Sequence, residues 1–236
     1  MKITKLLSLV IVSAFVLSSC SSNENLLPEA EKTNSLKSYK VKRDASGAYS
    51  IDYDLEENVK SEKVTNSVTN TNEFHLYQSD YTTSKRQSEE LFIDGNELSI
   101  GFIDTRTNKK ANITIEDDNI AILKTSSVNS KMLSEYSFSS NTDGTINLDF
   151  KVNNKVSVDF VYNEEINTYE IHLEEGKSSE TNFSRSLTRV NGQVLKIDFV
   201  NHLDKGDSSL KGVAARELIR RKPRIAIDNG ESGENL

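Results

Sequence analysis

From Ala48 to Leu203 the chain alternates apolar and polar residues with a period of two. Tyr49, Ile51, Tyr53 and Leu55 are separated by Ser50, Asp52 and Asp54. Leu98, Ile100 and Phe102 are separated by Ser99 and Gly101. Ile146, Leu148, Phe150 and Val152 are separated by Asn147, Asp149 and Lys151. Val156, Val158, Phe160 and Tyr162 follow, then Tyr169, Ile171 and Leu173. Successive side chains of a strand point to opposite faces, so each run predicts a strand with one face on a core and one in water. Weaker runs at 64–68, 74–77, 113–115, 120–123 and 136–138 bring the expectation to about ten strands.

The punctuation agrees. Asp94-Gly95, Asp143-Gly144, Asn153-Asn154, Asn191-Gly192 and Asp117-Asp118-Asn119 interrupt the runs. Asn, Asp and Gly tolerate the positive φ that tight turns demand. With only Asn153-Asn154 between two long runs, a hairpin is predicted, with Phe150 and Phe160 buried on one side and Asp149 and Asp159 in solvent. Short links predict an antiparallel meander rather than parallel crossovers. The only prolines, Pro28 and Pro223, lie outside the alternating region, where no ladder donor is missed. The spacing of the runs varies and predicts no repeat of fixed length, which disfavours a propeller or solenoid. The expected fold is mainly β: an antiparallel meander over 47–203 forming a curved sheet, barrel or sandwich, with one C-terminal helix. The Gly-x-Trp of lipocalin-type barrels is absent, because the chain has no Trp.

The helix is expected over 204–223. Asp207 or Ser208 caps it, Leu210, Val213, Ala214, Leu218 and Ile219 form its apolar stripe, and Pro223 ends it. Lys205, Lys211, Arg216, Arg220, Arg221, Lys222 and Arg224 outweigh Asp207 and Glu217 there, while the whole chain carries a net charge of -7. The basic segment is therefore drawn to the acidic body, which predicts a helix docked on the sheet. Arg216, Arg220, Arg221 and Lys222 are the candidate contacts for anionic lipid head groups or an acidic partner. Residues 224–236 are expected to form a flexible tail.

The N-terminus carries an address. Lys2 and Lys5 precede an apolar run, Leu6 to Leu17, broken only by Ser8 and Ser13. The run is short for a bilayer span, which needs about 20 apolar residues, and has the order of a secretory signal. Leu17-Ser18-Ser19-Cys20 resembles a bacterial lipobox. The resemblance implies removal of residues 1–19 and acylation of the Cys20 thiol by diacylglycerol and a palmitate-type chain. Several acyl chains anchor far better than one, so Cys20 would hold the protein on a membrane. Ser21 and Ser22 stand where enterobacterial lipoproteins kept in the inner membrane carry Asp, which implies the outer membrane. Glu24, between Asn23 and Asn25, is a diluted form of the acidic cluster of Bacteroidota surface lipoproteins, and leaves the periplasmic or surface face open. Residues 20–46 read as a polar tether.

Composition narrows the classes. A chain of 236 residues suits one domain, or at most two small ones. Its acidic balance disfavours nucleic acid, whose phosphates need a basic face. One Cys cannot form an internal disulfide. His75, His172 and His202 form no metal-binding spacing and are expected as strand-surface residues, with Asp204 beside His202 the one local pair. There is no Gly-x-Ser-x-Gly elbow and no Gly-x-Gly loop, and a lipidated Cys20 leaves no free thiol. Asp52 with Asp54, Asp149 with Asp159, Glu164-Glu165 and Glu174-Glu175 are expected on solvated strand faces. No catalytic, cofactor or metal residue is assigned. The expected role is a non-catalytic envelope lipoprotein that binds or scaffolds another envelope protein or a glycan. The alternatives are an envelope hydrolase using carboxylates from distant strands, and a lipid or lipoprotein carrier with an apolar cavity.

Overall fold

The computed structural model describes residues 35–81, 86–117, 132–176, 178–203 and 218–229. Cys20 and the lipobox-like segment before it, the expected strand at 120–123, and residues 204–217 of the expected helix with Arg216 lie outside the described residues, as does the side chain of Arg220.

The first seven strands are β1 (Leu36–Arg43), β2 (Tyr49–Leu55), β3 (Val59–Asn66), β4 (Thr71–Gln78), β5 (Arg86–Glu90), β6 (Glu97–Asp104) and β7 (Lys110–Glu116). The next seven are β8 (Leu133–Ser140), β9 (Ile146–Val152), β10 (Val156–Asn163), β11 (Thr168–Glu175), β12 (Asn182–Leu187), β13 (Leu195–Leu203) and β14 (Leu218–Asp228). They form a six-stranded sheet in the order β12-β9-β8-β1-β2-β5 and an eight-stranded sheet in the order β10-β11-β13-β14-β7-β6-β4-β3. The sheets pack face to face and stay open, so the fold is a sandwich and not a barrel. Rings from opposite sheets meet between them: Tyr39 stacks on Phe102 at 5.9 Å, Tyr53 meets Phe74 at 5.1 Å, and Phe199 meets Tyr136 at 5.6 Å and Phe150 at 5.4 Å. The period-two runs supply this layer, with Ile51, Leu55, Leu98, Ile100, Ile146 and Leu148 buried on the same inner faces. Each such side chain contributes about 1.5–3 kcal/mol by leaving water. The free edge strands β3 and β5 are rich in Lys, Arg and Glu, which opposes edge-to-edge pairing with another chain.

The sandwich is a duplication. In β1–β7 the first, second and fifth strands enter the six-stranded sheet and the other four enter the eight-stranded one. Strands β8–β14 repeat that distribution in the same order. The copies meet at two antiparallel pairs, β1 with β8 and β7 with β14, so a pseudo-two-fold axis runs through both sheets. The register repeats too. Tyr39↔Tyr53 is matched by Tyr136↔Phe150, Asp52↔Ser88 by Asp149↔Ser184, and the parallel pair Phe74↔Phe102 by Ile171↔Phe199. Most equivalent residues lie 97 positions apart, and several are identical, among them Tyr39 and Tyr136, Glu73 and Glu170, His75 and His172, and Phe102 and Phe199. Asn70 and Asn167, also 97 apart, carry the turns before β4 and β11 with φ of 51° and 50°. The seventh strands are 112 apart, as Ile113 and Ile225 are, so the second copy is 15 residues longer (112 − 97) between its last two strands. That extra length falls in the basic segment.

Several expectations are corrected. The repeat is present, but its unit is seven strands with equivalents about 97 residues apart, so it does not show in the spacing of neighbouring runs. The connectivity is not a pure meander: β5 and β12 step into the opposite sheet, so β4 pairs with β6, and β11 with β13, in parallel. Asn153-Asn154 is no hairpin turn, since β9 and β10 belong to different sheets. Phe150 and Phe160 therefore face each other across the sandwich at 5.8 Å instead of lying side by side. Phe150 is buried and Phe160 half-buried, while Asp159 is exposed. Strand β1 occupies part of the expected tether. Residues 218–223 begin strand β14 and are not helical. Pro223 is tolerated because β14 bulges there: Asp198 pairs with Arg224 and Val200 with Arg221, and pairing to β7 starts only at Arg224. Beyond it, Arg224 to Asp228 continue β14, with Ile225 and Ile227 buried, where a flexible tail was expected.

Candidate functional site

The duplication makes the two ends of the β1–β8 pair directly comparable. At one end Arg43 pairs with Tyr136 in register. Arg43 Nε donates to Asp117 Oδ2 at 2.8 Å, and its Nη1 donates to the Ser134 carbonyl at 3.0 Å. The Tyr49 hydroxyl also donates to Asp117 Oδ2, at 2.8 Å, and lies 2.9 Å from the Tyr136 hydroxyl. With the Tyr49 proton committed to the carboxylate, Tyr136 donates to Tyr49. Burial pushes both phenols far above their usual range, so both remain protonated. The network is closed: Arg43 and Asp117 are 4% and 9% exposed, and every member has a partner. Removing one side of such a buried pair costs about 3–5 kcal/mol.

At the other end the equivalents of Arg43, Tyr49 and Asp117 are Ser140, Ile146 and Asn229, while Tyr39 stands for Tyr136. Ser140 Oγ accepts the Tyr39 backbone N–H, at 3.0 Å. The shorter side chains leave a cleft of about 320 Å³ open to solvent. Leu36, Leu76, Phe102 and Ala111 supply its apolar wall. Tyr39, Arg189 and Asn229 also line it, and the Tyr39 hydroxyl, Arg189 Nε and Asn229 Oδ1 are each buried without a hydrogen-bond partner among the described residues. Arg189 is held by its Nη2, which donates to the Ile227 carbonyl at 3.4 Å. Burial pushes the Tyr39 phenol above its usual range against the pull of Arg189, so it stays a neutral donor. Lys37, Lys109 and Lys110 add positive charge to the lining. Of its two carboxylates, Asp104 is engaged by Ser35 at 2.5 Å and Arg106 at 3.4 Å, and Asp143 accepts the Thr145 hydroxyl at 2.6 Å.

A second constellation lies on the outer face of the eight-stranded sheet. Parallel pairing of β11 with β13 brings His172 and His202 together, with Nδ1 of the first 2.8 Å from Nε2 of the second. His172 Nε2 lies 3.1 Å from Glu170 Oε2, and His202 Nδ1 lies 3.8 Å from Glu174. Glu170 accepts Asn163 Nδ2 at 3.3 Å and is paired with Arg221. Burial works against the Glu170 carboxylate, but Arg221 and His172 outweigh it and hold the carboxyl below its usual range. Asp198 moves the other way, raised by burial despite Arg224 Nε at 3.6 Å. The first copy keeps only the simpler half: Asn66 Nδ2 donates to Glu73 at 2.9 Å, and His75 sits 2.9 Å from the same carboxylate. Among the described residues no group of three or more His, Cys, Asp or Glu is placed to hold a metal ion.

Of the expected contact residues, Arg221 is in the ion pair with Glu170, and Lys222 is half-buried with its carbonyl accepting Asn201 Nδ2 at 3.0 Å. Asp52 is held below its usual carboxylate range by hydrogen bonds from Lys42 and Ser88. Sequence reasoning missed both the cleft and the His172–His202 pair, because each joins residues far apart in the chain. A signal for the duplication exists in Thr71–Leu76 and Thr168–Leu173, which share the pattern Thr-x-Glu-x-His-Leu. No protein-family model, no curated protein and no solved structure matches the chain.

Proposed function

We propose that the protein is a lipid-anchored envelope protein, held by Cys20, that binds a ligand or partner without transforming it, through the open cleft. The observation that carries the reading is the contrast between the ends. A closed Arg43–Asp117–Tyr49–Tyr136 network at one end is replaced at the equivalent end by a cleft with three buried polar atoms that lack a partner among the described residues. The aromatic layer that fills the space between the sheets favours a binder over a lipid carrier. The lipobox-like segment supports the anchor, and Ser21 and Ser22 support an outer-membrane address. The partner class is another envelope protein or a glycan.

The test compares three forms expressed in the native envelope: wild type, Cys20→Ala, and a filled form carrying Ser140→Arg, Ile146→Tyr and Asn229→Asp. Wild type and the filled form are expected to fractionate with membranes, and Cys20→Ala to be released. Cross-linking is expected to give a wild-type adduct that the filled form lacks. If the filled form keeps every adduct, the cleft is not the binding site. A hydrolase reading draws only on the His172–His202–Glu170 cluster, and hydrolysis of chromogenic esters or glycosides abolished by His172→Asn would establish it.

A further inference from the structure

We infer that the open cleft recognises an α-amido carboxylate with an apolar side chain, the group presented by the carboxyl end of a peptide or by a free N-acyl amino acid. This rests on the reading of the cleft as a binding site. The closed end displays the complement that such a site accepts. There a carboxylate, that of Asp117, is received by one cationic N–H, from Arg43 Nε, and by one phenol, from Tyr49. At the open end the residue equivalent to Asp117 is Asn229, which carries no charge, yet one guanidinium N–H and one phenol remain, Arg189 Nε and Tyr39 Oη. These two buried donors have no acceptor among the described residues. Leaving such groups unpaired is costly, and a charged acceptor forms the stronger hydrogen bonds with them.

The third unpartnered atom sets the other half of the ligand. Asn229 Oδ1 is an acceptor only, so it calls for a donor on the ligand. A neutral amide N–H meets that need without adding a positive charge beside Arg189, which a free ammonium would do. The apolar wall of Leu36, Leu76, Phe102 and Ala111 provides for a hydrocarbon side chain. Lys37, Lys109, Lys110 and Arg189 outnumber Asp104 and Asp143 in the lining, which favours the approach of an anion. A phosphate dianion suits the site less well, because Asp104 lies in the lining and a phosphate offers Asn229 no amide donor.

The test is calorimetric titration of the detergent-solubilised, lipidated full chain with four probes. N-acetyl-L-leucine carries all three features, N-acetyl-L-leucinamide lacks the carboxylate, and isocaproate lacks the N–H. A tetrapeptide ending in leucine with a free carboxylate is the fourth. N-acetyl-L-leucine is expected to bind, and the amide and isocaproate each to bind at least about tenfold more weakly, the change that one good hydrogen bond supports. Arg189→Gln and Tyr39→Phe are expected to weaken N-acetyl-L-leucine by about tenfold while circular dichroism stays that of wild type, and the filled form is expected not to bind it. Tighter binding of the tetrapeptide identifies a chain terminus as the source, and equal binding identifies the free N-acyl amino acid. Equal affinity for carboxylate and amide, or no heat from any probe at millimolar concentration, overturns the assignment. In that case a filled form that still loses its envelope adduct leaves the binding role standing with another ligand class. If it loses nothing, both fall, and the cleft holds water only.

Discussion

Tyr39 and Tyr136 occupy equivalent positions in the two copies, both buried, with opposite hydrogen-bond outcomes. The Tyr136 hydroxyl is bound by Tyr49, whereas the Tyr39 hydroxyl has no partner among the described residues. An unpaired buried hydroxyl costs about 1–3 kcal/mol, and a paired one contributes about 1 kcal/mol. The same substitution therefore has opposite signs at the two sites. Tyr39→Phe is expected to raise the ligand-free unfolding free energy by about 1 kcal/mol in urea titrations. Tyr136→Phe is expected to lower it by a similar amount, because Tyr49 loses its donor. If both changes destabilise, Tyr39 has a partner and the ligand argument loses its main support. The residue types were legible beforehand; their pairing was not. Nothing local distinguishes Tyr39 from Tyr136, since the difference resides in Ile146 against Tyr49 and Asn229 against Asp117, contributed by other strands.

At the scale of elements, β14 shows where local pattern misleads. Its first residues, Leu218 and Ile219, complete the apolar stripe of the expected helix, and Pro223 resembles a stop signal. Strand pairing overrides both, because β13 supplies a ladder for Arg224 to Ile227 on one side and β7 one for Arg224 to Asp228 on the other, and the bulge accommodates the proline. The period-two pair Ile225 and Ile227 was readable in the sequence, but two residues are too few to outweigh a proline signal. Burial gives them a measurable consequence: Ile225→Ala is expected to cost about 2–5 kcal/mol, as for a core aliphatic residue. A change below about 0.5 kcal/mol, the usual surface value, would place this stretch outside the core. The β5 and β12 steps into the opposite sheet were likewise hidden. Both strands are short and polar, and they are recognised only through the serines that they bring to equivalent carboxylates, Ser88 to Asp52 and Ser184 to Asp149, each at 2.7 Å.

For the whole molecule, pH is the variable that reports on the duplicated outer face. Asp52 is held below its usual range by Lys42 and Ser88, Glu73 by His75 and Asn66, and Glu170 by Arg221 and His172 against its burial. A carboxyl depressed in the folded state contributes stability above its unfolded pKa of about 4 and loses it as pH falls through the folded value. Thermal unfolding is therefore expected to be level from pH 7 to about 5 and to move to lower temperature below pH 4. Asp198 has the opposite sign: raised by burial, it costs stability at neutral pH and ceases to do so as it protonates. Asp198→Asn is thus expected to stabilise at pH 7, with a gain that shrinks toward pH 4. A gain that grows on acidification would mean that Arg224 dominates its environment.

What the sequence determined by itself was everything that depends on neighbours along the chain. The period-two alternation marked the strands and named most of the core, since side-chain direction in a strand follows from covalent geometry. Asn and Gly marked the turns by tolerating positive φ, as Gly144 and Asn191 do at 81° and 54°. The lipobox resemblance that carries the proposed address at Cys20 is equally local. The tertiary structure alone decided which strands pair, how they divide between two sheets, and that the second half repeats the first. Those choices depend on packing between residues scores of positions apart, and a local pattern carries no information about its distant partner. The cleft and the His172–His202 pair belong to that second class: each exists because strand register, and not sequence proximity, sets which side chains meet.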